Sequence, residues 1–253
     1  MKFSRLLFFP LAACLLPLSS CAKSPSGGPV NQVPNRMQVT LTIKGGLSPR
    51  GYYAVAFDDD PTRQGPVAIT GASNTANLNK VVGGTYRFLV LYNNNRFTVY
   101  RRPNPAVETG EVVELARTPF VGNITPRATT NSINFTLDLD ARASDNSYYF
   151  AHDNNGQLTA TQVSVNAIAT TRPFTNPQDQ RIKPVDALGF NTTSTPERVQ
   201  IAGTRSANIN DDFGTANDLN NYDPSFSSPN TNPDFVLPAQ LDIQTLNLNI
   251  VRG

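Results

Sequence analysis

The chain has 253 residues, with 21 basic and 19 acidic side chains, a net charge of +2, one histidine, two cysteines and no tryptophan. So even a balance leaves no electrostatic footprint for capturing nucleic acid, and one histidine with two cysteines excludes a zinc site built on a His/Cys cluster. The length allows one large domain or two small ones.

Lys2 and Arg5 precede a run from Leu6 to Leu18 that is apolar apart from Pro10 and Pro17. This is the charged start and apolar middle of a secretory signal, and it is too short to cross a bilayer, which takes about 20 apolar residues. The run ends in Leu18-Ser19-Ser20-Cys21. That sequence resembles the lipobox of bacterial lipoproteins: a branched apolar residue, two small residues and the cysteine that is acylated before the signal is removed. The resemblance covers about the first two dozen residues and implies that residues 1–20 are cut away and that Cys21 carries the lipid. Each acyl methylene buried in a bilayer contributes about 0.8 kcal/mol, so several chains on one cysteine hold a protein at the membrane stably. In that family an Asp after the cysteine favours the inner membrane. Ala22 stands there, so the resemblance implies the outer membrane in a cell that has one.

Loss of residues 1–20 would leave 253 − 20 = 233 residues and remove Lys2 and Arg5, giving 19 basic against 19 acidic side chains. Cys14 would leave with the signal and Cys21 would be consumed by lipid, so the mature chain is expected to have no internal disulfide. Residues 21–36, with three prolines and two glycines, read as a flexible tether.

Order is expected from Met37. Val39, Leu41 and Ile43 alternate with polar residues, the period of a strand with one buried face. Tyr52 to Phe57 is a denser apolar run that suits a strand covered on both faces, closed by Asp58-Asp59-Asp60-Pro61. A shorter strand is expected over Val67–Thr70. Tyr86 to Tyr100 predicts a hairpin, with Asn93-Asn94-Asn95 as a turn tolerant of positive φ. Glu111–Leu115 is a short candidate strand, and Ile133, Phe135, Leu137 and Leu139 mark another strand by strict alternation. Tyr148–Ala151 and Gln162–Ala169 are expected to be strands separated by an Asp153-Asn154-Asn155-Gly156 turn. From 171 to 238 prolines, asparagines and serines dominate, predicting an irregular segment with short elements and a brief helix near Asp211–Leu219. The parity of apolar residues slips between Ile243 and Leu246, which predicts a β-bulge in the last strand.

Helical periodicity over three turns is missing, so the fold class is all-β, a two-sheet sandwich or jelly-roll-like domain over 37–253 with long Asn/Pro-rich loops. The alternative is two tandem β-sandwiches divided near 131, because Val39-Thr40-Leu41 and Tyr52-Tyr53 align with Phe135-Thr136-Leu137 and Tyr148-Tyr149 at one offset. Gly83-Gly84-Thr85-Tyr86-Arg87-Phe88 resembles the strand entry of transthyretin-like and collagen-adhesin B-type modules. Tyr52 to Asp60 with Phe135 to Asp140 is similar to carbohydrate- or haem-binding jelly rolls. Both resemblances imply a sandwich, and neither implies an activity.

The chemistry is sparse. A Ser-His-Asp triad has only His152 to draw on, so the chain reads as non-enzymatic, with no cofactor. Asp58, Asp59 and Asp60 gather three carboxylates that are candidates for Ca2+. Tyr52, Tyr53, Tyr148 and Tyr149 are candidates for a sugar-stacking face, against a plainer role in packing. The function expected is a membrane-anchored, exported interaction or envelope-structural protein, similar to β-sandwich proteins of the cell envelope. Its partners would be the lipid bilayer and an envelope protein or glycan. The alternative is a carbohydrate- or calcium-binding module.

Overall fold

In a computed structural model the described residues are 35–68, 81–106, 112–115, 118–122, 125–171, 185–188, 196–210 and 236–253. They all belong to one compact unit, Val33–Gly253. Residues 1–20, expected to be a signal, Cys21, the expected tether up to residue 34 and the helix expected near Asp211–Leu219 lie outside the described residues.

The strands in chain order are β1 (Arg36–Ile43), β2 (Tyr52–Asp58), β3 (Pro66–Ala68), β4 (Val82–Gly84), β5 (Phe88–Asn93), β6 (Arg96–Arg101) and β7 (Val113–Glu114). They continue with β8 (Arg127–Ala128), β9 (Ser132–Asp138), β10 (Gln162–Thr170), β11 (Val185–Ala187), β12 (Glu197–Gln200), β13 (Arg205–Asn210) and β14 (Ile243–Val251). A turn of 3-10 helix at Pro238–Gln240 leads into β14. No helix among the described residues is long and apolar enough to cross a membrane.

A five-stranded antiparallel sheet runs β13-β14-β1-β9-β8. A seven-stranded sheet runs β11-β10-β2-β5-β6-β7, with β12 beside β11 along the same edge of β10. The sheets pack face to face without closing into a barrel, so the expected all-β sandwich is the architecture. Met37, Val39, Leu41 and Ile43 of β1, Ile133, Phe135 and Leu137 of β9, and Leu246, Leu248 and Ile250 of β14 point from one sheet into the core. Tyr53, Val55 and Phe57 of β2, with Phe88, Val90 and Tyr92 of β5, meet them from the other. The dense run in β2 is covered on both faces as expected. Ala54 and Ala56 join Leu89, Leu91, Ile168 and Tyr86 in a second cluster on its outer side, near the small β3–β4 pair.

Both sheets mix strands from before and after residue 131, so the tandem alternative is not the architecture. Val39 and Phe135, aligned by the apparent repeat, are direct cross-strand partners in one sheet. The other aligned pair diverges: β2 is a full strand, whereas Tyr148 makes only an isolated bridge to Arg142. The strand expected over Tyr148–Ala151 is therefore absent, for a local reason. Asn146 sits at φ 64° and Asp145 Oδ1 accepts the Ser147 N–H at 3.0 Å, forming a turn. The chain then bends so that consecutive Tyr149 and Phe150 both turn inward onto Phe88, with ring centroids 5.7 Å and 5.3 Å away. A regular strand would send one of them to each side.

Turn chemistry follows the sequence closely. Asn94 and Asn95 have φ of 46° and 60° between paired Asn93 and Arg96, the two positive φ angles of a type I′ hairpin turn. The register between β1 and β14 slips between Thr42 and Ile43, where Thr245 and then Ile243 are opposed. Gln244 is thus the extra residue of the expected bulge. At that bulge the Ile243 N–H donates to Asp186 Oδ2 at 2.6 Å, tying β11 of one sheet to β14 of the other.

Candidate functional site

The sequence-predicted residues do not converge on one site. Tyr53 is fully buried: its hydroxyl accepts the Ser48 N–H and donates to the Gln240 carbonyl, each at 2.8 Å. Burial pushes its pKa up to about 12. Tyr149 is also fully buried. Tyr52 is half-buried and packs on the outer cluster of the seven-stranded sheet. Tyr148 belongs to a different group, with the His152 ring stacked on it at 3.6 Å and the Arg142 guanidinium 4.0 Å from its centroid. A shared sugar-stacking face of Tyr52, Tyr53, Tyr148 and Tyr149 is therefore not formed. Two of the four are core: Tyr53 because adjacent residues on β2 divide between faces, and Tyr149 because the bend after Asn146 turns it onto Phe88.

The acidic triplet is an ion-pair network. Asp58 is fully buried at the end of β2 and faces Arg63, whose Nε lies 2.9 Å from Oδ2 and whose Nη2 contacts Oδ1. Asp59, also buried, has Arg87 Nε 2.7 Å from its Oδ1, close enough for an ion pair though off the hydrogen-bond axis. Its Oδ2 accepts the Ala151 N–H. Burial raises the Asp59 carboxyl above its ordinary range against the lowering influence of Arg87 and the Ala151 N–H. Asp60 is more exposed, and hydrogen bonds from the Thr62 hydroxyl and N–H hold its carboxyl below the usual range. The oxygens offered to calcium by the sequence are thus turned to arginines and backbone amides. Among the described residues no three His, Cys, Asp or Glu side chains are grouped to hold a metal ion.

His152 has its side chain out of water, with Nδ1 2.9 Å from the Phe150 carbonyl oxygen and Nε2 3.1 Å from Asp140 Oδ1. Asn35 Nδ2 donates to the same carboxylate at 2.9 Å and 3.1 Å. Both ring nitrogens are thus engaged within the protein, and the shared Asp140 carboxylate ties the ring to Asn35 just before β1.

A surface that sequence reading alone missed lies on the outer face of the five-stranded sheet. Strand register places Asn208, Asn247, Thr40 and Asn134 side by side across β13, β14, β1 and β9. Ser206, Asn249, Gln38 and Thr136 form the row on one side, and Asn210, Thr245, Thr42 and Ser132 the row on the other. Every position is an amide or a hydroxyl. Neighbours in a row are about 4.8 Å apart and rows about 7 Å apart. Thr40 Oγ1 donates to Asn134 Oδ1 at 2.7 Å and Ser206 Oγ to Asn249 Oδ1 at 3.1 Å. Among the described residues Gln38 and Asn208 have no side-chain hydrogen-bond partner. Charge enters only at the margins, where Arg36 opposes Asp138 and Arg127 opposes Asn134. An open groove of about 270 Å³ runs over β1, β14 and β13.

Neither a family model, nor a curated protein, nor a solved structure matches the chain.

Proposed function

We propose that this chain is an exported lipoprotein, anchored to the cell envelope by acyl chains on Cys21, whose β-sandwich serves an interaction or envelope-structural role without catalysis. The reading rests on one observation, the order of Lys2 and Arg5, the apolar run, and Leu18-Ser19-Ser20-Cys21. Two further features support it. Residues 21–36 read as a tether long enough to set the domain off from a bilayer. His152, the one imidazole in the chain, has both nitrogens engaged by Phe150 and Asp140, an arrangement that suits a structural rather than a catalytic histidine.

Expression of the full chain in a bacterial host followed by fractionation and intact mass spectrometry tests the anchor. The expected product begins at Cys21, carries fatty acid and sediments with membranes, and Cys21→Ser releases it to the soluble fraction. An N-terminus free of fatty acid, or a serine variant that stays equally membrane-bound, overturns the reading.

A further inference from the structure

We infer that the outer face of the five-stranded sheet is a binding surface for a neutral polysaccharide, laid across β13, β14 and β1 over the amide and hydroxyl rows.

Over β13, β14 and β1 the rows centred on Asn208, Asn247 and Thr40 hold no ionisable side chain, although 16% of the chain is charged; the first charge met along the central row is Arg127, two strands beyond Thr40. A face that only had to stay soluble would carry Lys and Glu, the usual occupants of solvated strand positions and sheet edges. An anionic or cationic polymer would find no counter-charge on these three strands, whereas an uncharged polyol can exchange its hydrogen bonds to water for bonds to these groups. Charge matching therefore selects a neutral ligand.

An amide presents a donor and an acceptor side by side, a match for two neighbouring hydroxyls of a sugar ring. Asn247, Asn249, Asn208 and Gln38 place four such amides on three adjacent strands. Hydrogen bonds from Ser206 Oγ to Asn249 and from Asn247 to Thr245 Oγ1 fix two of the four amides in advance, which lowers the ordering cost on binding. The strand spacing of about 4.8 Å is close to the length of one hexose unit, so successive sugars of a chain crossing the strands meet successive amides. The groove over Gln38, Thr40, Ser206, Asn208, Asn247 and Asn249 gives that chain a shallow bed.

The three rows of this face contain no aromatic ring, so each contact is weak and the occupant is an extended polymer engaging several rows at once rather than a single sugar. Many copies on one surface would multiply that engagement. The inference does not depend on acylation of Cys21.

The test uses the full-length protein in mild detergent, passed over chitin and cellulose beads and over a printed array of neutral oligosaccharides, with a polyanionic heparin resin beside them. Retention is expected on at least one neutral support, undiminished at 0.5 M NaCl, and absent on heparin. The double variant Asn208→Ala/Asn247→Ala is expected to cut retention by about tenfold or more. Gln38→Glu is expected to weaken it similarly, by setting a charge in the rows. Both should keep the far-ultraviolet dichroism and melting temperature of the parent, since the substituted side chains point away from the core. No retention on any neutral support, retention unchanged in the folded double variant, or retention abolished by salt each overturns the inference.

Discussion

Tyr53 shows how much one side chain can carry. Its hydroxyl closes the gap between the Ser48 N–H and the Gln240 carbonyl, and Gly51 is the residue that leaves it room, since a Cβ there would stand 2.4 Å from the hydroxyl oxygen. Tyr53→Phe leaves both backbone groups without their partner, at a cost of about 1–3 kcal/mol, read as a lowered urea midpoint with an unchanged slope. The pKa raised to about 12 adds a pH signature. A group whose folded pKa lies above its unfolded value near 10 contributes stability in full below pH ~10 and loses it as pH rises toward 12. Wild type is therefore expected to lose stability over that alkaline window, and Tyr53→Phe to lose distinctly less. Equal alkaline slopes would show that the hydroxyl is not buried as described.

Asp59 sets burial against ion pairing. Its carboxyl is raised because burial outweighs Arg87 and the Ala151 N–H, so its titration makes the fold relatively more stable as pH falls through the raised folded pKa. Asp59→Asn cannot titrate. Its stability relative to wild type is expected to fall on going from pH 7 to pH 4, because wild type alone gains on protonation. A relative stability that rises instead would show that the arginines hold the carboxylate ionised against the cost of burial.

At the scale of elements, the β5–β6 hairpin is legible because Asn93-Asn94-Asn95 marks a turn between two apolar runs, and β1 and β9 because each writes its buried face into an alternation that needs no partner to be read. The bulge in β14 was legible for the same reason: Ile243 and Leu246 cannot both face inward without one extra residue. β13 was not legible, because Ala207 and Ile209 are its only apolar residues and its pairing is dictated by β14. The amide rows escaped notice since each strand's polar half reads merely as a solvent face. Their continuity depends on register between segments as far apart as Thr40 and Asn247. Tyr53 is a candidate for a stacking face as well as for packing in the sequence because two adjacent tyrosines do not say which one points inward; the structure settles it as core. The hairpin turn yields a prediction of its own. Asn94 and Asn95 both pay for positive φ, which glycine adopts freely. Asn95→Gly is expected to be neutral to slightly stabilising, whereas Asn95→Val, β-branched at φ 60°, should cost about 1–2 kcal/mol by thermal unfolding. A valine variant as stable as the parent would exclude the I′ turn.

For the whole molecule the decisive feature is that the first strand is not an edge. β1 lies between β9 and β14, so the opening segment of the domain finds one of its two partners only in the last nine-residue strand. Such pairing makes folding slow and all-or-none, because the loop between β1 and β14 must close before either is rewarded. Removing 243–253 would strip Leu246, Leu248 and Ile250 from the core and bare the edges of both β1 and β13, which template aggregation when unpaired. The truncated chain is therefore expected to be insoluble or degraded on expression. Intact 37–253 is expected to melt in one calorimetric transition whose van't Hoff and calorimetric enthalpies agree. Two resolved transitions would mean that the sheets come apart independently. That cannot happen while both sheets bury their inner faces in one core, where Val39 and Phe135 of one sheet share a single cluster with Val55 and Phe88 of the other, so the calorimeter reads the packing of the two sheets directly.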